Sequence, residues 1–308
     1  MPNWPPSPNF GNVTSVSERW PLPPGIDFAR EYDVAAGIPA FAAILSTWKT
    51  HAGIVRARLP GQLDLAYGTA VTERLDFFPA TTGAEAAPLL VFFHGGFWRR
   101  LDKDDFSWIA PPYVARGVSV AIVNYGLAPA TPLETIVDQC RGSIAWLYRH
   151  ADRLGFDRRR IVVAGHSAGG HLAGMALTTD WPAIADDLPE QPLAGGILLS
   201  PLADLAPLAR VPVYHADLNF TPQRIATLSP ARLQAIGGAP VIGAVGGRES
   251  SEFKRQLAMQ AAAWPASWKA TVDMPDDDHL SLCDAFAEPT TALFQASVNL
   301  LTQTSVSK

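Results

Sequence analysis

The sequence contains little cysteine and little charge, and each shortage excludes a class of protein. Two cysteines in 308 residues, Cys140 and Cys283, cannot build the dense disulfide framework of a small secreted domain, which favours a reducing compartment. Charged residues make up 17% of the chain, and 24 basic against 29 acidic residues leave a net charge of −5. Binding to nucleic-acid backbones depends on a basic excess, so no nucleic-acid partner is expected.

Long apolar runs are also missing from the sequence. No stretch approaches the roughly 20 apolar residues that span a bilayer. The opening segment MPNWPPSPNFGN has neither the basic nor the apolar part of a signal peptide. We therefore expect a cytoplasmic protein without a membrane partner. The hydrophobic content of 48% is that of a compact globular protein.

Local composition divides the chain into a short arm and one domain. The first 24 residues hold seven prolines and few periodic apolar positions, which predicts an extended arm over residues 1–24. Residues 25–308 show no internal repeat and no low-complexity linker, so a single domain is expected there. The interval 201–240 is long and irregular, and we expect it to form a small cap over one end of the sheet.

Strand and helix patterns alternate along this domain. QLDLAYG at 62–68 and TERLDFFPA at 72–80 alternate apolar and polar residues, which is the period of half-buried strands. Six later runs are continuously apolar, which indicates strands buried on both faces. They lie at 88–93, 118–125, 161–165, 196–200, 241–246 and 270–274. Helical spacing occurs at 132–155 and 252–264, and one or two helices are expected within 28–58. The pattern predicts an α/β fold with a mostly parallel, doubly wound sheet and helices on both faces.

The segment Gly165-His166-Ser167-Ala168-Gly169 matches G-x-S-x-G in the setting that this pattern requires. It follows the apolar run IVVAG and opens the helical stretch AGGHLAGMAL. On such a strand–turn–helix bend the residues around the serine must be small, because a Cβ would collide with neighbouring backbone. The free N–H groups and the dipole at the helix N-terminus favour a developing oxyanion. The motif predicts Ser167 as a catalytic nucleophile, with a structural turn as the alternative.

A second glycine motif, His94-Gly95-Gly96-Phe97-Trp98, follows the predicted strand LLVFF. Glycines let backbone amides face a bound carbonyl, and a loop in this place supplies an oxyanion-hole donor beside the amide that follows the nucleophile. We expect an oxyanion hole formed from the amides of Gly95, Gly96 and Phe97 together with Ala168. An ordinary Gly-Gly turn is the alternative.

A serine hydroxyl is a poor nucleophile until a base removes its proton, so a histidine oriented by an acid is needed elsewhere. In this fold the chain order is serine, then acid, then histidine. His279 follows the last predicted strand and is the expected base. The other histidines have plainer roles in loops, helices or the cap. They are His51, His94, His150, His166, His171 and His215.

Two carboxylates compete for the role of the acid. Glu249 follows the strand at 241–246, in the place where the carboxylate that orients the imidazole is expected. Asp204 follows the strand at 196–200 and is the competing candidate. The aspartates at 276–278 lie too close to His279 in sequence to reach back to its Nδ1, so they are expected to be solvated loop charges.

Aromatic side chains beside the motifs indicate how a substrate with a ring would be held. We expect Trp98, Tyr125 and His166 to contact substrate, with Phe97 and Trp108 as further candidates for stacking and core packing as the alternative. The sequence has no HExxH pattern and no paired-cysteine cluster. No metal and no organic cofactor is therefore expected.

These motifs resemble the arylformamidase (kynurenine formamidase) group of α/β-hydrolases, within the wider lipase and esterase set that carries an H-G-G loop. The resemblance runs from about Glu31 to the end of the chain, and HGG followed by an aromatic residue and tryptophan is its most specific part. The other carriers are Glu31-Tyr32, Ala66-Tyr67-Gly68, Asn124-Tyr125-Gly126-Leu127-Ala128-Pro129, GHSAGGHL at 165–172, Glu249-Ser250-Ser251-Glu252-Phe253 with Arg255-Gln256, and Asp278-His279.

The resemblance implies a hydrolase that converts N-formyl-L-kynurenine to L-kynurenine and formate, with Ser167, Glu249 and His279 as its triad. The acid of that group is often aspartate, and the segment 201–240 offers little that aligns with it. A carboxylesterase or amidase for other aryl esters, anilides or carbamates is therefore the alternative, and a catalytically inactive binding protein is a further one. The expected partner is a small aromatic amide or ester, and the apolar helices are compatible with a homodimer.

Overall fold

The computed structural model describes residues 20–81 and 87–304. Residues 1–19, and with them most of the arm predicted for 1–24, lie outside the described ranges, as do residues 82–86 and 305–308. Near the start of the described chain the indole N–H of Trp20 donates to the carbonyl of Ala231 at 3.1 Å. The single domain and the cap at 201–240 stay predictions.

Eight strands of the described chain form one sheet. They are β1 (Gln62–Ala66), β2 (Arg74–Phe78), β3 (Leu89–Phe93), β4 (Ser119–Val123), β5 (Ile161–His166), β6 (Leu193–Leu199), β7 (Val241–Gly246) and β8 (Trp268–Met274). Their order across the sheet is β1-β2-β4-β3-β5-β6-β7-β8. The pairs β1–β2 and β2–β4 are antiparallel, and all the others are parallel. The predicted mostly parallel, doubly wound sheet is therefore confirmed.

Helices join most of the strands and cover both faces of the sheet. They are α1 (Phe28–Glu31), α2 (Phe41–Arg58), α3 (Ala110–Val114), α4 (Leu133–Arg149), α5 (Ala151–Leu154), α6 (Ala168–Leu177), α7 (Trp181–Ile184), α8 (Pro212–Leu218), α9 (Pro222–Leu228), α10 (Ser251–Ala263), α11 (Ser281–Ala287) and α12 (Ala292–Gln303). Short 3-10 helices lie at Lys103–Asp105, Ser107–Ile109, Arg158–Arg160, Leu208–Arg210 and Pro230–Arg232. Among the residues described, none of the helices combines the length and hydrophobicity needed to cross a lipid bilayer.

The central strands supply two hydrophobic cores, one on each face of the sheet. Successive side chains of a strand point to opposite faces. In β3, Leu89, Val91 and Phe93 pack in one core with residues of α4 and α6, whereas Leu90 and Phe92 pack in the other with residues of α2, α3, α11 and α12. Every residue of β3 is buried. Burial on both faces explains why this part of the sequence is continuously apolar.

Parallel pairing brings the carboxyl ends of β3 to β8 to one edge of the sheet. The loops that leave this edge carry the HGG motif after β3, Ser167 after β5, Glu249 after β7 and His279 after β8. In such sheets, crevices for ligands form outside the carboxyl ends of the strands. α1 and α8 meet above the same edge, where the Tyr214 hydroxyl donates to the carbonyl of Tyr32 at 3.4 Å.

Candidate active site

Ser167 lies at a sharp bend between β5 and α6. Its backbone has φ 58° and ψ −117°, a conformation that L residues with side chains rarely adopt. The two glycines of the motif make the bend possible. A Cβ on Gly165 would lie 2.1 Å from the carbonyl oxygen of Gly169, and a Cβ on Gly169 would lie 1.9 Å from that of Phe93. The glycines at these positions are therefore required by contact with backbone, which cannot move aside cheaply.

The surroundings of Ser167 leave its hydroxyl available for reaction. The Ser167 amide donates to the carbonyl of Leu199 at 2.8 Å and fixes the backbone. Its hydroxyl forms no hydrogen bond with any group in the described part of the chain. Ala168 follows as the first residue of α6, so its amide has no partner within the helix. The positive end of the α6 dipole therefore faces the space beside Ser167.

The loop after β3 brings further backbone amides to the same place. Gly96 has φ +107°, and a Cβ there would lie 2.2 Å from the carbonyl oxygen of Arg100, so this turn needs glycine. A Cβ on Gly95 would lie 3.3 Å from the Cβ of Ser167, which shows how closely the loop approaches the serine. Within the described residues the amides of Gly95, Gly96, Phe97 and Ala168 donate no hydrogen bond. The structure thus gathers the four predicted oxyanion-hole residues around Ser167.

Buried polar side chains hold this loop in position. The Tyr125 hydroxyl donates to the carbonyl of His94 at 2.6 Å, and the two rings stack with centroids 4.2 Å apart. His94 Nε2 lies 3.3 Å from Asn124 Oδ1, and the Tyr67 hydroxyl donates to the carbonyl of Asn124 at 2.5 Å. Complete burial lowers the pKa of His94, so its ring is neutral at physiological pH. The AYG and NYG segments therefore support the HGG loop.

His279 and Glu249 form a buried acid–base pair. The Nδ1 atom of His279 lies 2.6 Å from Glu249 Oε2, and the other carboxylate oxygen accepts from the Gly246 amide at 2.7 Å and from the Ser200 hydroxyl at 2.5 Å. Because Nδ1 is used in this bond, Nε2 is the nitrogen of His279 that remains for the serine. Asp204 accepts instead from Arg232, at 2.8 and 3.0 Å. The structure thus brings Glu249, and not Asp204, to His279.

His166 connects the serine bend to the histidine loop. Its Nε2 lies 2.8 Å from the carbonyl oxygen of His279, and the two rings are 4.5 Å apart between centroids. Burial, with a further contribution from the neighbouring His279, lowers the pKa of His166 well below its ordinary value. A neutral ring donates its Nε2–H to this carbonyl and so fixes the position of the loop that carries His279. The sequence predicted substrate contact for His166, and the side chain does line the cavity beside Ser167.

A cavity of about 100 Å³ opens beside the serine. Its described walls are mainly apolar and aromatic. They comprise Tyr32, Asp33, Val34, Ala35, Phe41, Leu45, Trp48, Gly95, Gly96, Phe97, Arg100, Leu101, Phe106, His166, Ser167, Tyr214, His279 and Leu280. A neighbouring cavity of about 380 Å³ shares Asp33, Val34 and His279 with it. The nucleophile, the base and the oxyanion-hole loop therefore face one space.

Two of the predicted substrate-binding residues are placed elsewhere. Trp98 and Tyr125 are fully buried, and neither lines the cavity that contains Ser167. The Trp98 ring packs edge-on against His171 with centroids 4.9 Å apart, and Tyr125 supports the HGG loop. The structure gives no support to substrate contact by either residue. Both residues are close to the motif in sequence, but they pack on the side of the HGG loop that faces away from the cavity.

Other residues at the site were not identified from the sequence. Ser200 donates to Glu249, and Tyr214 stacks on Phe97 with ring centroids 4.4 Å apart. Ser200 lies at the carboxyl end of β6, which is the one signal that the sequence offers for it. Nothing comparable marks Tyr214, because it reaches the site from the irregular segment 201–240.

One cluster of carboxylates has the spacing of a metal site but is already neutralised. Oxygen atoms of Asp64, Asp76 and Asp104 lie within 4.8 Å of one another. Lys103 Nζ lies 2.6 Å from Asp64, 2.9 Å from Asp76 and 2.6 Å from Asp104, and Arg56 pairs with all three. The cationic side chains take the place that a metal ion would need.

Comparison with known proteins places this site in a family. The BD-FAE family model matches residues 75–190. Kynurenine formamidase from Danio rerio is 30% identical over 248 residues, which are 77% of this chain and 81% of that protein. A carboxylesterase from Mycobacterium tuberculosis is 31% identical over 122 residues, which are 39% of this chain and 37% of that protein.

A solved structure shows the same architecture over most of the chain. It is a candidate thioesterase from Silicibacter sp. TM1040, which superposes with a TM-score of 0.78 at 28% identity and covers 90% of this chain and 100% of its own. The relatives include formamide and ester hydrolases, and the match to the first extends over most of both chains. The chain is therefore a hydrolase that belongs to the kynurenine formamidase family of α/β-hydrolases.

Proposed function

We propose that this protein is a serine hydrolase that cleaves aryl formamides, with N-formyl-L-kynurenine as its substrate and L-kynurenine and formate as its products. The observation that carries the proposal is the 2.6 Å bond between Glu249 and His279, at the wall of the cavity that contains Ser167. This arrangement supports a triad of Ser167, His279 and Glu249. The substrate is suggested by the name of the relative that matches most of the chain.

In the first half of the reaction the formyl group passes to the enzyme. Nε2 of His279 accepts the Ser167 proton while Oγ forms a bond to the formyl carbon, and Glu249 stabilises the resulting imidazolium. The negative charge on the formyl oxygen is stabilised by amides of the Gly95–Phe97 loop and of Ala168. The C–N bond then breaks, and His279 gives its proton to the leaving aromatic amine.

In the second half water releases the formyl group. His279 accepts a proton from water as the water oxygen bonds to the formyl carbon, and the same amides stabilise the second oxyanion. The bond to Oγ breaks, His279 returns a proton to Ser167, and formic acid leaves and loses its proton to solvent as formate. Each step uses groups of this chain and water alone.

The walls of the cavity suit an aromatic leaving group. Apolar and aromatic side chains dominate it, and Phe97 and Tyr214 offer a stacked pair of rings at one wall. A formamidase needs a cramped acyl pocket, whereas a general esterase for longer chains needs a wider one.

The test is a comparison of substrates with the purified protein. We expect kcat/KM for N-formyl-L-kynurenine to exceed that for p-nitrophenyl acetate, and p-nitrophenyl butyrate to be the poorest of the three. The partial match to a carboxylesterase favours a second candidate, hydrolysis of aryl esters. Faster turnover of butyrate without cleavage of the formamide would support that candidate and exclude the first.

The nucleophile is tested separately from the substrate. Ser167→Ala is expected to lower kcat by at least about a thousandfold with every substrate, because the triad acts as one unit. Its far-UV and near-UV circular dichroism should match those of the wild type. A folded Ser167→Ala protein that keeps its activity would show that another residue is the nucleophile.

A further inference from the structure

The cavity beside Ser167 carries one cationic and one anionic side chain among its described walls, apart from histidine. They are Arg100, four residues after Gly96, and Asp33, just after α1. Both side chains are exposed to solvent. Within the part of the chain that the structure describes, neither forms an ion pair. Asp33 Oδ1 accepts the Ala36 amide at 3.2 Å, which fixes its carboxylate but leaves its charge without a counterion.

The neighbouring charges are already paired, which sets these two apart. Arg99, adjacent to Arg100 in sequence, lies 2.5 Å from Asp217 and stacks its guanidinium over the Tyr214 ring at 5.6 Å. Its charge is therefore neutralised locally. Arg100 has no such partner among the described residues, and a guanidinium in this position offers two parallel N–H donors to a carboxylate.

Tyr214 lines the same cavity as Arg100 and Asp33 and contacts the sequence neighbour of each. Its hydroxyl donates to the carbonyl of Tyr32, and the guanidinium of Arg99 lies over its ring. Burial raises the pKa of Tyr214, so its hydroxyl stays protonated. The same ring stacks on Phe97, in the loop that approaches Ser167. The stacked rings therefore line the same cavity as Ser167, Arg100 and Asp33.

We infer that Arg100 and Asp33 form a subsite for the zwitterionic head of an α-amino acid, with Arg100 binding the carboxylate and Asp33 the ammonium group. The inference rests on the proposed function, and it names what part of the leaving amine the enzyme recognises. Such a substrate would place its aryl ring on the Phe97–Tyr214 pair and its charged amino-acid group beside Arg100 and Asp33. Apolar groups then meet apolar walls, and charged groups meet opposite charges. A plain aryl ester leaves both charges without a partner.

The experiment compares two formamides that share a ring and a ketone. N-formyl-L-kynurenine carries the amino-acid head, and N-(2-acetylphenyl)formamide lacks it. We expect Arg100→Gln to raise KM for N-formyl-L-kynurenine about tenfold or more. The ratio of kcat/KM for N-formyl-L-kynurenine to kcat/KM for N-(2-acetylphenyl)formamide should fall by the same factor. Asp33→Asn should act in the same direction, and Arg100→Lys should recover part of the loss because it keeps the charge.

The matched control removes the same charge from the neighbouring cavity. Arg30 is an exposed arginine that lines that cavity and not the one with Ser167. Arg30→Gln should keep the ratio within about twofold of the wild type. A ratio that falls in Arg30→Gln and stays constant in Arg100→Gln would overturn the inference, because the head would then lie in the other cavity.

A second measurement separates this inference from the proposed function. Inhibition of p-nitrophenyl acetate hydrolysis by L-kynurenine reports binding of the head without cleavage of a formamide. If neither formamide is cleaved, the proposed function fails. The subsite also fails if L-kynurenine does not inhibit or if Arg100→Gln leaves its inhibition constant unchanged. A rise of about tenfold in that constant supports the subsite in either case.

Discussion

The Ser200 hydroxyl controls the orientation of the carboxylate that faces His279. It lies 2.5 Å from Glu249 Oε1, which also accepts the Gly246 amide at 2.7 Å. An oxygen that already accepts two donors stays in place, so Oε2 is the atom presented to His279. Ser200 itself has φ 43°, an uncommon backbone conformation that brings its hydroxyl under the carboxylate. Ser200 is thus a positioning residue for the acid–base pair.

Removing this hydroxyl should slow the reaction and leave binding alone. We expect Ser200→Ala to lower kcat about tenfold with KM changed less than twofold, because a hydrogen bond to a charged group contributes roughly 1.5–3 kcal/mol. Steady-state kinetics across pH would measure it. The control is Ser143→Ala, which removes a buried hydroxyl bonded to the carbonyl of Cys140 at 2.7 Å, away from the site. Equal loss of kcat in both variants would show a general loss of stability and not a role in positioning.

The sequence indicates some of these residues and conceals others for a physical reason. Ser167 and its glycines can be predicted because the bend is formed by five consecutive residues. Glu249 and Asp204 could not be separated, because both follow a strand that ends at the same edge of the sheet. What separates them is Arg232, which neutralises Asp204 and comes from 28 residues further along the chain. Ser200 acquires its role only through such a distant contact, with Glu249.

α1 is attached to the N-terminus of α10, directly after the Glu249 loop. The Glu31 carboxylate accepts from the Ser251 hydroxyl at 2.7 Å and from the Glu252 amide at 3.0 Å, which satisfies free donors at the start of that helix. The Tyr32 hydroxyl lies 3.1 Å from Glu252 Oε2 and 2.8 Å from Gln256 Nε2. The two segments EY and ESSEF, which the resemblance includes, therefore meet in space and fix one wall of the cavity.

Loss of the Tyr32 hydroxyl should loosen that wall. Tyr32→Phe leaves the buried Glu252 and Gln256 each without one partner, at a cost of about 1–3 kcal/mol in the free energy of unfolding. Because Tyr32 and Asp33 line the cavity, KM for N-formyl-L-kynurenine should rise about fivefold or more while kcat falls less. Urea denaturation and steady-state kinetics measure the two effects.

The control for this variant lies on the other side of the sheet. The buried Tyr113 donates its hydroxyl to the carbonyl of Phe286 at 2.7 Å, so Tyr113→Phe should cost similar stability without changing KM. A KM that rises equally in both variants would contradict a specific role for the α1 contact.

The strands were easier to predict from the sequence than the helices of the irregular segment. The interiors of β3 to β7 are runs of apolar residues, as burial on both faces of a parallel sheet requires. All eight strands lie where the sequence predicts them. β8 was expected to be buried on both faces, but it is an edge strand and is mostly exposed. α8 and α9 have seven residues each, too few to show a helical period. Their remaining signals are Pro212 and Pro222 at the first helical position and Thr221 as a cap for α9. Tyr214 on α8 escaped prediction for this reason.

At the scale of the whole molecule, folding transfers several histidines into the interior in their neutral form. His94, His166 and His171 are buried, and burial lowers the pKa of each, in the case of His171 to about 4. His171 Nε2 lies 2.7 Å from the carbonyl of Leu228, which links α6 to the end of α9. These rings connect the sheet, the HGG loop and the segment 201–240, so their protonation affects the fold as a unit.

Stability should therefore fall on mild acidification. Well above pH 6.5 these histidines are neutral in both the folded and the unfolded chain. Below pH 6.5 these histidines become protonated in the unfolded chain but stay neutral in the folded protein. In the folded protein His171 becomes protonated only near pH 4. Each such group lowers the free energy of unfolding by up to about 1.4 kcal/mol per pH unit, and His171 alone accounts for roughly 3 kcal/mol over that range.

Urea denaturation at pH 7.5, 6.5, 5.5 and 4.5 gives the slope of the free energy of unfolding against pH. His171→Gln, whose amide nitrogen can replace Nε2, should reduce this slope. His215→Gln replaces an exposed ring, which folding does not remove from water, and should leave the slope as it is. A wild-type slope near zero between pH 6.5 and 5 would show that these rings are not held neutral by the fold.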